Sequence, residues 1–509
     1  MKKTLFILNF LICLISFGQV DNREKLVSIG QPYKTVNGKY KSTIIINESH
    51  YISVKGNSGK ITIQKYSFIE EKQEAINFYK DFPKNFKELA LLNLGNNIYY
   101  IYESFNNKTE ESTVYSREID IKNATFKNEV KMFTTKKNEN FQQTDGYLKG
   151  RQNLLKHGSF FQLELSEDKS KLLFRYKRYS DELAITENKE NSDVFGFYVF
   201  DSNLSLLWNK EVEMKYTQSY IKYITSSITN IGDVYMLSYL NENEKYEFTK
   251  ISINKTRYNY IDIPILLNCN KLILKETLNS KIECYGYRSD LLVKCIIDRE
   301  GLLISSRKYK VSSAELVIPE NKYKFLYEGQ IKNKPLDAQM LEKKCIRDVI
   351  LTKDGGSIII GEGTYPLMPM GVGSFGVLPY SFIYGDIIIT KIDGDGEFVW
   401  EKRISKLNGS FDKYRGFYQT DSEDIQFLYS ETFRDLTSPE LIYKQPLTYV
   451  KINMVTSEIK CVEILNLKNF NGLNGHQFNL NRLLDLGNNE YAFEVYIKNK
   501  NDVTVKFKL

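Results

Sequence analysis

Leu92-Asn-Leu-Gly-Asn-Asn-Ile-Tyr99 returns almost unchanged near the other end of the 509-residue chain as Leu484-Asp-Leu-Gly-Asn-Asn-Glu-Tyr491. Each copy passes from an apolar run through a Gly-Asn-Asn turn into a strand-like stretch. Self-similarity of this kind is the signature of a repeat architecture, in which one supersecondary unit cannot hide its apolar faces alone. Between the two copies the same grammar recurs five times in looser wording. A strand is followed by a tight polar turn, a second strand, a variable loop, a third strand often ending in Asp or Asn, another turn, and a fourth strand.

Turns at positions 96, 169, 232, 280, 355, 422 and 488 lie 48 to 75 residues apart. They contain Asn, Asp, Gly and Ser, the residue types that accept left-handed or side-chain-bonded turn geometry. The second strands that follow (residues 98–102, 171–176, 234–240, 281–287, 357–361, 425–429 and 491–497) are apolar or alternate apolar with polar. With 36 Tyr and 30 Phe the composition suits pleated, half-buried surfaces rather than helices. The expected fold is all-β, a β-propeller of about seven four-stranded blades. A stack of independent sandwiches is the competing arrangement, but no Pro/Gly/Ser-rich linker separates the units. The last unit ends at Leu509 without a fourth strand, and residues 42–46, 51–54 and 61–66 supply spare ones. An N-terminal strand, with residues 61–66 as the candidate, is therefore expected to complete the C-terminal blade and protect its edge. The sequence also allows residues 491–509 to be a sorting tail instead of a blade.

The first residues read as a secretory signal. Lys2 and Lys3 precede the apolar residues 5–17, and Gly18-Gln19 offers a small-residue exit. The apolar run is broken by Asn9 and Ser16 and is short of the roughly 20 residues a membrane-spanning helix needs. Cys13 raises lipid attachment, but Ile12 stands where that processing requires a small residue. The domain reading is a signal peptide at 1–19 and one β-propeller domain at 20–509, with insertions at about 70–92, 320–345 and 364–385. Short helices are expected at residues 70–79 and 336–344. The net charge of +7 falls to +5 once Lys2 and Lys3 are removed, with bases and acids interspersed, which excludes a nucleic-acid partner. No second apolar stretch approaches membrane length, so no transmembrane helix is expected in the mature chain. Beyond Cys13 the cysteines are Cys269, Cys284, Cys295, Cys345 and Cys461. None has the Cys-x-x-Cys spacing of metal or redox sites. Buried strand cysteines are the plain reading, with a Cys284–Cys295 disulfide open if the two lie on neighbouring strands.

The best-kept unit runs Leu351-Thr-Lys-Asp-Gly-Gly-Ser-Ile-Ile-Ile-Gly361 and then Asp386-Ile-Ile-Ile-Thr-Lys-Ile-Asp-Gly-Asp-Gly-Glu-Phe-Val-Trp400-Glu-Lys402. It resembles exported bacterial β-propeller repeats that read Asp-Gly-Gly, strand, Gly, then Lys-Ile-Asp, a Gly turn and Trp. Tyr198-Val-Phe-Asp-Ser-Asn-Leu-Ser-Leu-Leu-Trp208 is a weaker copy. The resemblance implies a fold and leaves function open.

No motif amounts to a catalytic site. Gly371-Val-Gly-Ser-Phe-Gly376 has dinucleotide-loop spacing, but Pro366, Pro369 and Pro379 surround it where a strand and a helix are required. Asp393-Gly-Asp-Gly396 supplies half a calcium loop, with Lys391 and Lys402 in the remaining ligand slots, and reads better as a hairpin turn. His50, His157 and His476 fit no triad or zinc motif. No cofactor and no metal are therefore expected. The insertion at 364–385 is apolar yet broken by Gly and Pro, and is expected not to be regular strand. Its Tyr365, Phe375, Tyr380, Phe382 and Tyr384 are the candidate binding residues, against the alternative that they pack into the ring. The functional expectation is an exported, non-enzymatic, monomeric binding or assembly scaffold for an unknown protein or glycan ligand. The alternative is a hydrolase of glycans or peptides with carboxylates converging in the central channel.

Overall fold

The computed structural model describes residues 27–136, 161–179, 193–214, 221–240, 245–254, 256–261, 266, 269, 272–277, 279–288, 290–311, 315–319, 343–366, 382–406, 424–430, 433–434, 443–444, 446–466, 475–478, 483–487, 490–497 and 500–508. These form eight antiparallel blades in a propeller ring. The first is Tyr40–Asn47, His50–Asn57, Lys60–Ser67 and Lys72–Tyr79; the second is Lys87–Leu94, Asn97–Asn106, Glu111–Asp120 and Thr125–Lys136. The third is Gln162–Leu165, Leu172–Tyr179, Asp193–Phe200 and Leu206–Glu213; the fourth is Ile221–Ile228, Val234–Leu240, Lys245–Ile251 and Thr256–Ile261. The fifth is Leu272–Glu276, Ile282–Arg288, Leu291–Ile297 and Leu303–Lys310. The sixth is Lys343–Leu351, Ser357–Pro366, Phe382–Ile392 and Phe398–Ile404, with Glu315–Val317 added in parallel at its outer edge. Of the seventh, Asp424–Ser430, Pro446–Asn453 and Ile459–Asn466 are described.

In the eighth blade Gly475–Phe478 and Leu484–Gly487 both pair with Glu490–Ile497, which pairs with Asn501–Lys508. The N-terminal strands Val27–Ile29 and Tyr33–Lys34 complete its outer edge, with Val27 opposite Phe507 and Tyr33 opposite Asp502. Closure by an N-terminal strand is therefore correct, but residues 61–66 are not that strand: they belong to the first blade. Residues 490–508 are blade, not an appended tail.

The ring has one blade more than the seven expected. The missing blade is the first, and its fourth strand is the reason. Lys-Gln-Glu-Ala-Ile-Asn-Phe-Tyr (Lys72–Tyr79) carries helix-forming residues and suggests a helix, yet it is an outer strand that alternates exposed and half-buried along its length. Tertiary pairing to Lys60–Ser67 overrides the weak local preference. The helix expected at 336–344 fares similarly where it is described, since Lys343 and Lys344 open a strand; residues 336–342 lie outside the described residues.

Among the described residues, eight apolar clusters lie one at each junction between consecutive blades. Leu173, Phe197 and Trp208 of the third blade meet Val234 and Met236 of the fourth, and Tyr285 and Tyr287 of the fifth meet Ile359 and Ile392 of the sixth. The cluster that closes the circle joins Tyr51, Tyr66 and Phe68 of the first blade to Leu484, Leu486 and Ala492 of the eighth. Each such side chain contributes about 1.5–3 kcal/mol by leaving water. This is the reason isolated blades do not stand alone.

The Asp or Asn that ends a third strand folds the next turn around itself. The Asp298 Oδ1 accepts from the Glu300 and Leu302 amides at 2.8 Å, leaving Gly301 at φ +85. Asp201 and Asp393 make the same turn, and Asn453 caps one that is a residue longer. Before the second strands a hydroxyl does equivalent work: Ser166, Thr229 and Thr277 accept from the amides of Lys171, Asp233 and Lys281. The two tryptophans tie blade to blade, Trp208 donating to the Gly232 carbonyl at 3.1 Å and Trp400 to that of Met454 at 3.3 Å.

Candidate functional site

Antiparallel alternation sorts every connection of the ring onto one of two faces. Links from first to second and from third to fourth strands leave one face, and no described link there is longer than the six residues between Leu165 and Leu172. Links from second to third strands, and from blade to blade, leave the other face. There the strand ends bracket 15 residues between Pro366 and Phe382 and 25 between Lys136 and Gln162. One face is a set of short capped turns. The other carries the length variation, which is where binding residues concentrate in rigid scaffolds.

Beneath that second face lies a layer of buried charge. Glu88 and Glu103 of the second blade, Glu247 of the fourth and Glu362 of the sixth are buried in the halves of their strands nearest it. In the sixth blade the Glu362 carboxylate accepts from Lys406 Nζ and from Arg347 Nε, both at 2.8 Å. Asp386 accepts from Arg403 Nε at 2.6 Å and from the Lys406 amide at 3.0 Å. Where the first blade meets the eighth, Lys55 Nζ donates at 2.8 Å to both Glu494 and Asp502. Tyr33 donates to Glu494 at 2.7 Å, and Thr35 to Asp502 at 3.0 Å. Burial, and after it the Glu494 charge, raise the Asp502 carboxyl above its ordinary range. Burying charge costs several kcal/mol per ion before pairing returns any of it.

The first strands touch one another around the axis. Glu164 of the third blade accepts from Ser226 of the fourth at 3.2 Å. Lys275 of the fifth blade reaches Glu167, in the third, at 3.0 Å and Asp348, in the sixth, at 4.0 Å. Blades three and five are not neighbours, so this contact crosses the opening at the turn face. A second polar recess, a cleft of about 160 Å³ between the fifth and sixth blades, is lined by Glu283, Lys294, Ser305, Arg307, Tyr309 and Asp395, among others. Glu401, at the same junction, accepts from Thr390 at 3.0 Å; burial raises its carboxyl to about 7, opposed by Lys344 and Arg403.

Of the candidate binding residues, three sit on a hairpin of the sixth blade. Tyr365 pairs with Ile383, Pro366 with Phe382, and Thr364 with Tyr384. The ends of the 364–385 insertion are thus regular strand, contrary to expectation, because cross-strand hydrogen bonding continues past the last Ile pair. The hairpin strands reach ten and eleven residues. Phe375 and Tyr380 lie outside the described residues, as does Gly371–Gly376. Asp393 spends its carboxylate on its own turn, and His50 pairs with Glu74 at 3.1 Å on the first blade. Among the described residues no group of three or more His, Cys, Asp or Glu is placed to hold a metal ion. No described helix is long and apolar enough to cross a membrane. Cys284 and Cys295 do lie on neighbouring strands, directly opposite each other, as free thiols. The channel residues Glu167, Lys275 and Asp348 escaped the sequence because they come from three blades. Lys55, Glu103, Glu362 and Glu494 carried a signal: each interrupts an apolar second strand in its second half.

No family model matches the sequence, and no curated protein matches it. Among solved structures, the acylaminoacyl peptidase of Pyrococcus horikoshii is similar at 10% identity and a TM-score of 0.37, over 93% of this chain and 59% of that one. Prolyl oligopeptidase B from Galerina marginata is similar at 10% identity and 0.36, over 97% and 59%. The WD40 domain of SCAP from fission yeast is similar at 8% identity and 0.35, over 95% and 98%. This chain thus spans about three-fifths of the length of the two peptidases.

Proposed function

We propose that this chain is an exported binding or assembly scaffold that engages a protein or glycan partner through the face opposite the capped turns. The observation that supports it most is the asymmetry of the ring: every described link on one face is short, while the other is fed by longer connections and underlain by buried ion pairs. Fixed dipoles and charges just below a variable surface orient its loops and bias it toward polar partners. The sixth-blade hairpin is the first contact to test. Replacing residues 367–381 by Asn-Gly closes the ladder after Pro366 and Phe382. The chain then keeps its melting temperature and loses the partner cross-linked to the full-length protein in the producing cell. An unchanged set of cross-linked partners sinks the reading. Export rests on residues 1–19, and N-terminal sequencing of the protein recovered outside the cytoplasm tests it, with cleavage expected near Gly18 or Gln19.

A second reading, a hydrolase, draws on Glu164, Glu167 and Asp348 around the axis. Glu167→Gln and Asp348→Asn would then each remove turnover of a peptide or glycan substrate while leaving the fold intact.

A further inference from the structure

Three thiols gather on the face of the fifth blade that packs against the fourth. Cys284 and Cys295 are directly opposite across Ile282–Arg288 and Leu291–Ile297, both fully buried. Such residues have Cα atoms about 4.5 or 5.5 Å apart, within the roughly 4.4–6.8 Å a disulfide spans. Cys269, held by a turn in which its amide donates to the Leu266 carbonyl at 3.1 Å, rests on Gly286, two residues along the same strand face from Cys284. A Cβ at position 286 would stand 2.9 Å from the Cys269 Sγ, so only glycine leaves room for it there. Burial, and after it the neighbouring Cys295 and Cys269, raise the Cys284 thiol above its ordinary value. Cys269 alone of the three is only partly buried.

The geometry points to a thiol relay that installs a cross-strand Cys284–Cys295 disulfide, with Cys269 as the entry thiol. The oxidant is a small-molecule disulfide, RSSR. The Cys269 thiolate attacks one of its sulfurs, forming a mixed disulfide and releasing RS⁻, which takes up a proton. Cys284, giving up its proton to solvent, attacks the Cys269 sulfur and expels the second RS⁻. Cys295 then attacks Cys284, and Cys269 leaves as a thiolate and is reprotonated. Two protein thiols become one disulfide while RSSR becomes two RSH. Burial raises the thiols of Cys269 and Cys295 to about 12, so exchange proceeds through brief local openings at Cys269.

The test incubates the folded full-length chain with oxidised glutathione, alkylates the remaining thiols, and maps each cysteine by peptide mass. The expected product is Cys284–Cys295, preceded by glutathione on Cys269. Cys269→Ser should slow its formation by about tenfold or more, because access for the first attack is lost; Cys345→Ser and Cys461→Ser should leave the rate unchanged. The same incubation during refolding guards against a closed native state. Cys284 and Cys295 remaining alkylatable under both conditions overturns the disulfide. A Cys269→Ser chain with an unchanged thermal melt that oxidises at the parental rate overturns the relay, as does a stable bond retaining Cys269.

Discussion

Replacing Lys55 by Met removes the cation that bridges two buried carboxylates at the seam of the ring. Lys55 is 1% exposed, Glu494 4% and Asp502 1%, and both carboxylates lie 2.8 Å from the ammonium. Breaking a buried pair by deleting one partner costs about 3–5 kcal/mol, since the remaining charge stays out of water. That is a large part of the ~5–15 kcal/mol that holds a typical domain folded. The loss falls on the junction of the first and eighth blades, so unfolding should begin there. Tyr33 and Tyr51 report it locally, with Tyr33 bonded to Glu494 and Tyr51 to Thr504 at 2.7 Å. Chemical denaturation followed by Trp208 and Trp400 fluorescence, with hydrogen exchange of the Val27–Ile29 and Asn501–Lys508 amides, measures both effects. The deficit should shrink as pH falls, because protonating either carboxylate relieves their mutual repulsion. Adding Glu494→Gln and Asp502→Asn to Lys55→Met should recover at least half of the loss. A Lys55→Met chain within about 0.5 kcal/mol of the parent at neutral pH, the range of an ordinary surface substitution, would refute the reasoning.

In Glu401→Gln the pH dependence between the ordinary Glu range and about 7 should flatten. The folded chain holds this proton more tightly than the unfolded one, so its contribution is full below the ordinary Glu value and disappears as pH rises through about 7; thermal melts across that window check the sign. Gly301→Ala combines a left-handed φ with contacts of 2.6 and 2.7 Å to Asn259 and Phe248, whereas Gly487→Ala, at φ +80, meets nothing within 4 Å. The second should cost about 1–2 kcal/mol and the first a further 1–3 or so, read as a difference in denaturation midpoints; equal losses would show that the Gly301 neighbours yield freely. Trp208→Phe gives up the bond to the Gly232 carbonyl and should cost about 0.5–1.5 kcal/mol, with faster amide exchange in the Thr229–Asp233 turn.

Turn chemistry made the repeat legible. Asp201, Asp298, Asp393 and Asn453 show in the sequence because each must cap its own turn, and the Asn-Asn and Asp-Gly turns recur because two backbone links per blade demand them. Second and third strands were legible for a related reason: both of their faces are buried against neighbouring blades, so they read as apolar runs. Outer strands bury one face at most. Lys72–Tyr79 therefore kept only an alternation that its Lys, Gln, Glu and Ala disguised as helix, and with it went the first blade and the correct identity of the closing strand. The closing strand was harder still, since Val27–Ile29 and Tyr33–Lys34 are three and two residues long.

The charged layer follows a different logic. A lone Glu in the second half of an apolar strand, as in Tyr102-Glu103 or Gly361-Glu362, reads locally as the point where a strand leaves the core. It reads differently once the ring is known, because the far ends of second strands are still covered by the next blade, and a charge placed there is buried whether or not a partner exists. Partners do exist, and they come from distant sequence: Lys406 for Glu362, 44 residues on, and Glu494 for Lys55, 439 residues on. Pairs that span blades or close the circle cannot form until the strands around them are in place, so they stabilise the finished ring and contribute little to any unit on its own. The same pairs set a constraint on the face above them. A loop docking there meets ammonium and carboxylate groups already engaged with each other, which favours neutral polar ligands over strongly charged ones. Binding that strengthens steeply at low salt would contradict that preference.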